Sequence, residues 1–161
     1  MQDFSFDKDG NLSPYEIIDI DLKKFKERLV DNFSKSNTRM PIYIGYLQYC
    51  KDFCKDVASD GYQWVDGSFV TNKENPGDID LVNFIKEEFI KTNYGRLQKY
   101  LGDYSKQKYK VHGFYMPIVP IEHKLYAIIQ EHVNDCQKWF GFDREKKPKG
   151  ILKIKLGDNH E

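Results

Sequence analysis

Two aspartates one residue apart, Asp78 and Asp80, are the residues of this chain best placed to do chemistry. They sit in the stretch WVDGSFVTNKENPGDIDLVNF, from Trp64 to Phe84, which reads as strand, polar loop, strand. Successive side chains on a strand point to opposite faces, so Asp78 and Asp80 share one face, roughly 6–7 Å apart at the backbone. Ile79 and Leu81 then turn to the core. Paired carboxylate oxygens suit Mg²⁺, which usually takes one or two carboxylates and fills its shell from water and phosphate. Upstream, Gly67-Ser68 breaks the first strand, where free amides and a hydroxyl can hold a phosphate. Lys73, on the loop between the strands, is a further candidate for phosphate contact, or an exposed lysine on a polar loop.

A glycine-serine pair followed by Asp-x-Asp on the next strand resembles the DNA polymerase β-like nucleotidyltransferase superfamily at Gly67, Ser68, Asp78 and Asp80. The chain also looks like a family of small, uncharacterised microbial nucleotidyltransferase-like proteins. The segments FDKDGNL, DGSFVTNKENPGDIDLV and WFGFDREKKPKGILKI carry that likeness. The resemblance implies a minimal nucleotidyltransferase fold, with Asp78 and Asp80 as metal ligands and catalytic residues. By the same resemblance Gly67 and Ser68 are expected to bind a nucleoside triphosphate such as ATP, with Mg²⁺ or Mn²⁺ as the cofactor. It also implies a third carboxylate on a later strand, and there this sequence departs: His112 stands in that place. Imidazole is a poor ligand for Mg²⁺ and a better one for Mn²⁺ or Zn²⁺. His112 could instead be a general base, since imidazole ordinarily titrates near neutrality, or simply a packed strand histidine. Asp66, Asp103 and Glu122 are the alternative third carboxylates. Two functions stay open. One is transfer of a nucleotide to a protein or RNA hydroxyl. The other is a catalytically impaired relative that binds and regulates, in the toxin–antitoxin or phage-defence settings the resemblance implies.

The elements that must position these residues are those of one domain over residues 1–161. Hydrophobic residues make up 40% and aromatic residues 15%, which is globular. The 25 basic and 25 acidic residues cancel, which disfavours a processive polymerase or a plain nucleic-acid-binding module. No apolar run approaches the roughly 18–20 residues a bilayer requires. The N-terminal MQDFSFDKDG lacks a signal-peptide pattern, so a cytoplasmic protein with no membrane partner is expected. Cys50, Cys54 and Cys136 read as reduced thiols. Oligomeric state is not legible.

Residues 1–20 read as an irregular arm. Its Asp7, Asp9 and Asn11 only briefly suggest a calcium loop, because Leu12 and Ile18 occupy the positions needing glycine and glutamate. Leu22, Phe25, Leu29 and Phe33 recur at helical spacing, with Asp19 or Asp21 as N-cap. A second helix opens at Pro41, with Tyr43, Leu47, Cys50, Cys54 and Val57 as its stripe, and Gly61 ends it. After the central strands come a helix over about 86–101, stopped by Gly102, and a strand over 109–116 closed by Pro117. A longer helix follows from near Pro120 to Gly141 and carries Leu125, Ile128, Ile129, Val133, Cys136 and Trp139. Residues 144–161 supply a basic loop, an edge strand and a tail; Arg144, Lys146, Lys147 and Lys149 form either a solvated cluster or a phosphate contact. The fold class is α/β (α+β): a small mixed sheet flanked by helices.

Overall fold

The computed structural model describes residues 3–157. Its strands are β1 (Ser5–Phe6), β2 (Leu12–Ser13), β3 (Ile17–Asp19), β4 (Tyr62–Asp66), β5 (Ile79–Lys86), β6 (Val111–Ile118) and β7 (Ile151–Lys155). The α-helices are α1 (Leu22–Lys26), α2 (Arg39–Asp56), α3 (Glu87–Leu97), α4 (Gly102–Tyr109) and α5 (Tyr126–Phe140). Five strands form one mixed sheet in the order β3-β7-β4-β5-β6, and β1 and β2 form a separate hairpin. Helices lie on both faces, so the α+β class expected from the sequence holds.

Strand alternation divides the core in two. Val65, Leu81, Ile85, Leu152 and Ile154 face α1 and α2, where Phe25, Tyr46, Cys50 and Phe53 are fully buried. Trp64, Val82, Phe84 and Ile151 point to the other face, with Phe140 of α5. A buried polar chain fixes the register on the α2 side. Tyr46 Oη donates to Gln63 Oε1, Gln63 Nε2 to Asn83 Oδ1, and Asn83 Nδ2 to Tyr49 Oη, each at 2.8 Å. Tyr49 Oη then donates to the Tyr100 carbonyl at 2.9 Å. A one-residue slip would turn these groups to the opposite face and leave them unpaired, so the chain selects a single alignment.

Several sequence expectations change. The arm over residues 1–20 contains the β1–β2 hairpin and β3, which pairs parallel to β7. β7 is accordingly interior, not an edge strand. The α2 helix begins at Arg39, before Pro41, and buries Ile42, Tyr43, Tyr46, Tyr49, Cys50 and Phe53; Leu47 and Cys54 are only half-buried. Gly102 does not simply stop a helix: it starts α4, which ends at Lys110 in the left-handed conformation (φ 60°). β6 therefore begins at Val111 and runs through Pro117, which its edge position tolerates. On α5, Ile128 is 51% and Trp139 81% exposed. Asp21, as expected, caps α1 by accepting from the Lys24 amide at 2.7 Å.

Arg39 holds the loop after β4. Its side chain is 1% exposed, and its guanidinium lies 3.7 Å from the centre of the Phe33 ring. It donates to the carbonyls of Leu29 and Phe69 at 2.7 Å, Thr71 at 2.8 Å and Lys73 at 2.5 Å. The planar fork matches several fixed acceptors at once, which lysine cannot do. Arg39→Met should destabilise the fold by about 2–6 kcal/mol, since the two buried carbonyls each cost about 1–3 kcal/mol when left unpaired. The urea midpoint measures this, and an unchanged midpoint would contradict the clamp.

Candidate active site

β4 ends in Asp66, and Gly67 then turns the chain with φ 86° and ψ −170°. That region of backbone space is essentially reserved for glycine. A Cβ there would sit 2.4 Å from Asp80 Oδ2, so the missing side chain is what lets the Asp80 carboxylate lie against the turn. Ser68 opens a short 3-10 turn through Val70, closed by Thr71 Oγ1 donating to the Ser68 carbonyl at 2.7 Å.

The register then aligns three ionisable groups across three strands. β4 and β5 are antiparallel with Asp66 opposite Asp80, and β5 and β6 are parallel with Asp80 opposite His112. By strand alternation all three project from the face that α5 covers further along the sheet. His112 Nδ1 lies 3.2 Å from Asp80 Oδ1 and donates to it when that nitrogen carries the proton. The His112 ring also packs on Phe114, centres 4.7 Å apart. Asp78, just before β5, pairs with Lys106 of α4 at 3.1 Å.

Asp66 is 2% exposed, and Lys149 Nζ lies 3.0 Å from its Oδ1. The contact is a close, buried ion pair. Burial pushes the Asp66 carboxyl up to about 7, with Lys149 opposing the shift. Asp80 is also raised, by burial first and the Asp78 charge second, while His112 pulls the other way. Desolvation and a like charge both disfavour the anion, the environment in which an added cation stabilises most.

The structure thus brings together Gly67, Ser68, Asp78, Asp80 and His112. It does not bring in Lys73, which is exposed and contributes its backbone carbonyl to Arg39. Asp103, on the first turn of α4, and Glu122, between β6 and α5, are exposed and outside the row. Asp66 is the alternative carboxylate that lies beside Asp80. Among the described residues no group of three or more His, Cys, Asp or Glu side chains is arranged to hold a metal ion.

Sequence reasoning missed the delivery of Lys149. The FDKDGNL turn and the DREKKPKG loop are parts of one clasp. Asn11 Nδ2 donates to Asp143 Oδ2 at 2.9 Å and to the Pro148 carbonyl at 3.3 Å, and Lys147 pairs with Asp9 at 3.0 Å. The Gly150 amide donates to the Leu12 carbonyl at 2.8 Å, and a Cβ on Gly150 would come within 2.5 Å of the Pro14 carbonyl oxygen. The Asn72 amide donates to the Gly10 carbonyl at 3.0 Å, joining the same hairpin to the loop after Ser68. The available signal was composition: two turn-rich, oppositely charged segments near opposite ends of the chain.

Fold and site define an α+β protein whose mixed sheet carries an acid–acid–imidazole row beside a glycine-serine turn. The chain belongs to the DUF6932 family, a family of unknown function whose model matches residues 4–155. No curated protein and no solved structure matches it. Among the described residues no helix is long and apolar enough to cross a membrane.

Proposed function

We propose that this protein is a nucleotidyltransferase-like protein that binds a nucleoside triphosphate with Mg²⁺ or Mn²⁺ and transfers its nucleotidyl group to a protein or RNA hydroxyl, breaking the α–β phosphoanhydride bond and releasing pyrophosphate. The observation that supports this most is the placement of Asp80 directly against the Gly67 turn, with Asp66 and His112 on its two flanks. Asp78 and Asp80 would hold the divalent cation, which neutralises phosphate charge and polarises the transferred group. The Gly67–Ser68 amides and the Ser68 hydroxyl orient the phosphates. His112, in contact with Asp80, holds that carboxylate or takes the proton of the attacking hydroxyl. This reading also places the protein in the cytoplasm, where its substrates are.

Calorimetry with each of the four common ribonucleoside triphosphates tests the site. Binding should appear with Mg²⁺ and disappear with EDTA or in the Asp78→Ala/Asp80→Ala double variant. Equal binding without metal would reject the assignment. A second reading, a binding protein without transfer, is favoured by one observation: the His112 contact occupies an Asp80 oxygen that the cation would need.

A further inference from the structure

We infer that Lys149 is a phosphate ligand of this site, and that its ammonium exchanges between Asp66 and a bound polyphosphate. The inference rests on the nucleotide reading above and deepens it by adding the cationic residue of the phosphate subsite.

Three observations carry it. The first is place. Lys149 Nζ is 3.0 Å from Asp66, the residue before the Gly67–Ser68 turn. Consecutive Cα atoms are about 3.8 Å apart, so the Ser68 Cα lies within about 8 Å of the Asp66 Cα, and a phosphate held at that turn is a near neighbour of the ammonium. The second is the quality of the pair. The Lys149 side chain is 10% exposed and its partner 2%, so both charges leave water for this one contact. A buried ion pair often costs as much in desolvation as it gains, so stability alone does not account for it.

The third is reach across the site. The Lys149 charge acts on Asp80 as well as on Asp66, so its ammonium serves both acids beside the turn. Its backbone is fixed by the clasp through Pro148 and Gly150, which holds it at that position. Charge points the same way. Asp66, Asp78 and Asp80 are acidic, and a polyphosphate approaching them needs a cation delivered from the protein as well as the one it carries.

Inorganic tripolyphosphate with Mg²⁺ is the probe, titrated calorimetrically and followed in parallel by thermal unfolding. Lys149→Met should weaken binding about 10- to 100-fold, the scale of a lost charge-assisted hydrogen bond, and Lys149→Arg should restore most of it. Because Lys149→Met leaves Asp66 buried without a counter-charge, the double variant Asp66→Asn/Lys149→Met is the folded control. It should unfold near the wild-type temperature and still show the weakened binding. Asp66→Asn alone releases the lysine and should bind at least as tightly as wild type. Parallel loss in Asp66→Asn and Lys149→Met would show a structural pair and overturn the inference. So would unchanged binding in the double variant while Asp80→Asn abolishes it, an outcome that leaves the nucleotide reading standing. Failure of wild type to bind tripolyphosphate and all nucleotides would overturn both.

Discussion

The His112→Asp variant should transfer label from an α-labelled nucleoside triphosphate about 10²–10⁴-fold faster than wild type, the usual effect of one well-placed catalytic group. The expectation comes from register. Residue 112 pairs directly with Asp80, and its side chain already reaches within 3.2 Å of an Asp80 oxygen. An aspartate there would present oxygen to the same space, which Mg²⁺ prefers to nitrogen. It would also free Asp80 from the imidazole. Label incorporation into lysate protein and RNA, with Mg²⁺ or Mn²⁺, is the measurement. If the imidazole is itself the base, His112→Ala abolishes transfer and His112→Asp fails to improve it. Robust transfer unaffected by His112→Ala removes His112 from the chemistry and leaves Asp66 as the third carboxylate. Nucleotide binding with no transfer by either protein favours the binding reading.

Gly67→Ala should weaken triphosphate binding about 100-fold, the scale set when a site is misplaced by about 1 Å. The added methyl meets Asp80 Oδ2 at 2.4 Å, so the carboxylate must move away from the turn. The backbone at φ 86° adds strain of about 1–3 kcal/mol. Gly77→Ala is the internal comparison, because a Cβ there has nothing within 4 Å. It should change stability by less than about 0.5 kcal/mol. Equal effects at the two glycines would mean that the close approach to Asp80 has no functional weight.

What could be read beforehand was local. Alternation around Asp78 and Asp80 assigned them to one face, and the Gly67-Ser68 break marked the turn, since both depend on neighbours in sequence. The Asp66–Asp80–His112 row depends on pairing among β4, β5 and β6, and a one-residue slip would have dispersed it. Alternation within a strand does not reveal its partner's register. The α4 helix escaped notice because GDYSKQKY buries only Ser105 and Tyr109 and so shows no apolar stripe. The inward side of α5 was not legible for the opposite reason: α5 has apolar residues on more than one side, and spacing alone could not tell which side the sheet takes. Lys149 looked like one charge among four, and only its fold position distinguishes it from exposed Arg144 and Lys146.

The position of β7 has a consequence for how the protein is made. It follows every other described strand in the chain, yet it sits between β3 and β4. A nascent chain leaving the ribosome can pair β4, β5 and β6 from neighbouring sequence, but β3 waits with no strand to pair to until residues 151–155 emerge. Until then β3 and β4 each expose an unpaired edge, the feature that recruits other chains. Lys149 arrives with the same segment, so Asp66 is buried and compensated only when this last strand closes the sheet. Translation that stalls before Gly150 should therefore release a product that aggregates rather than a partly active one.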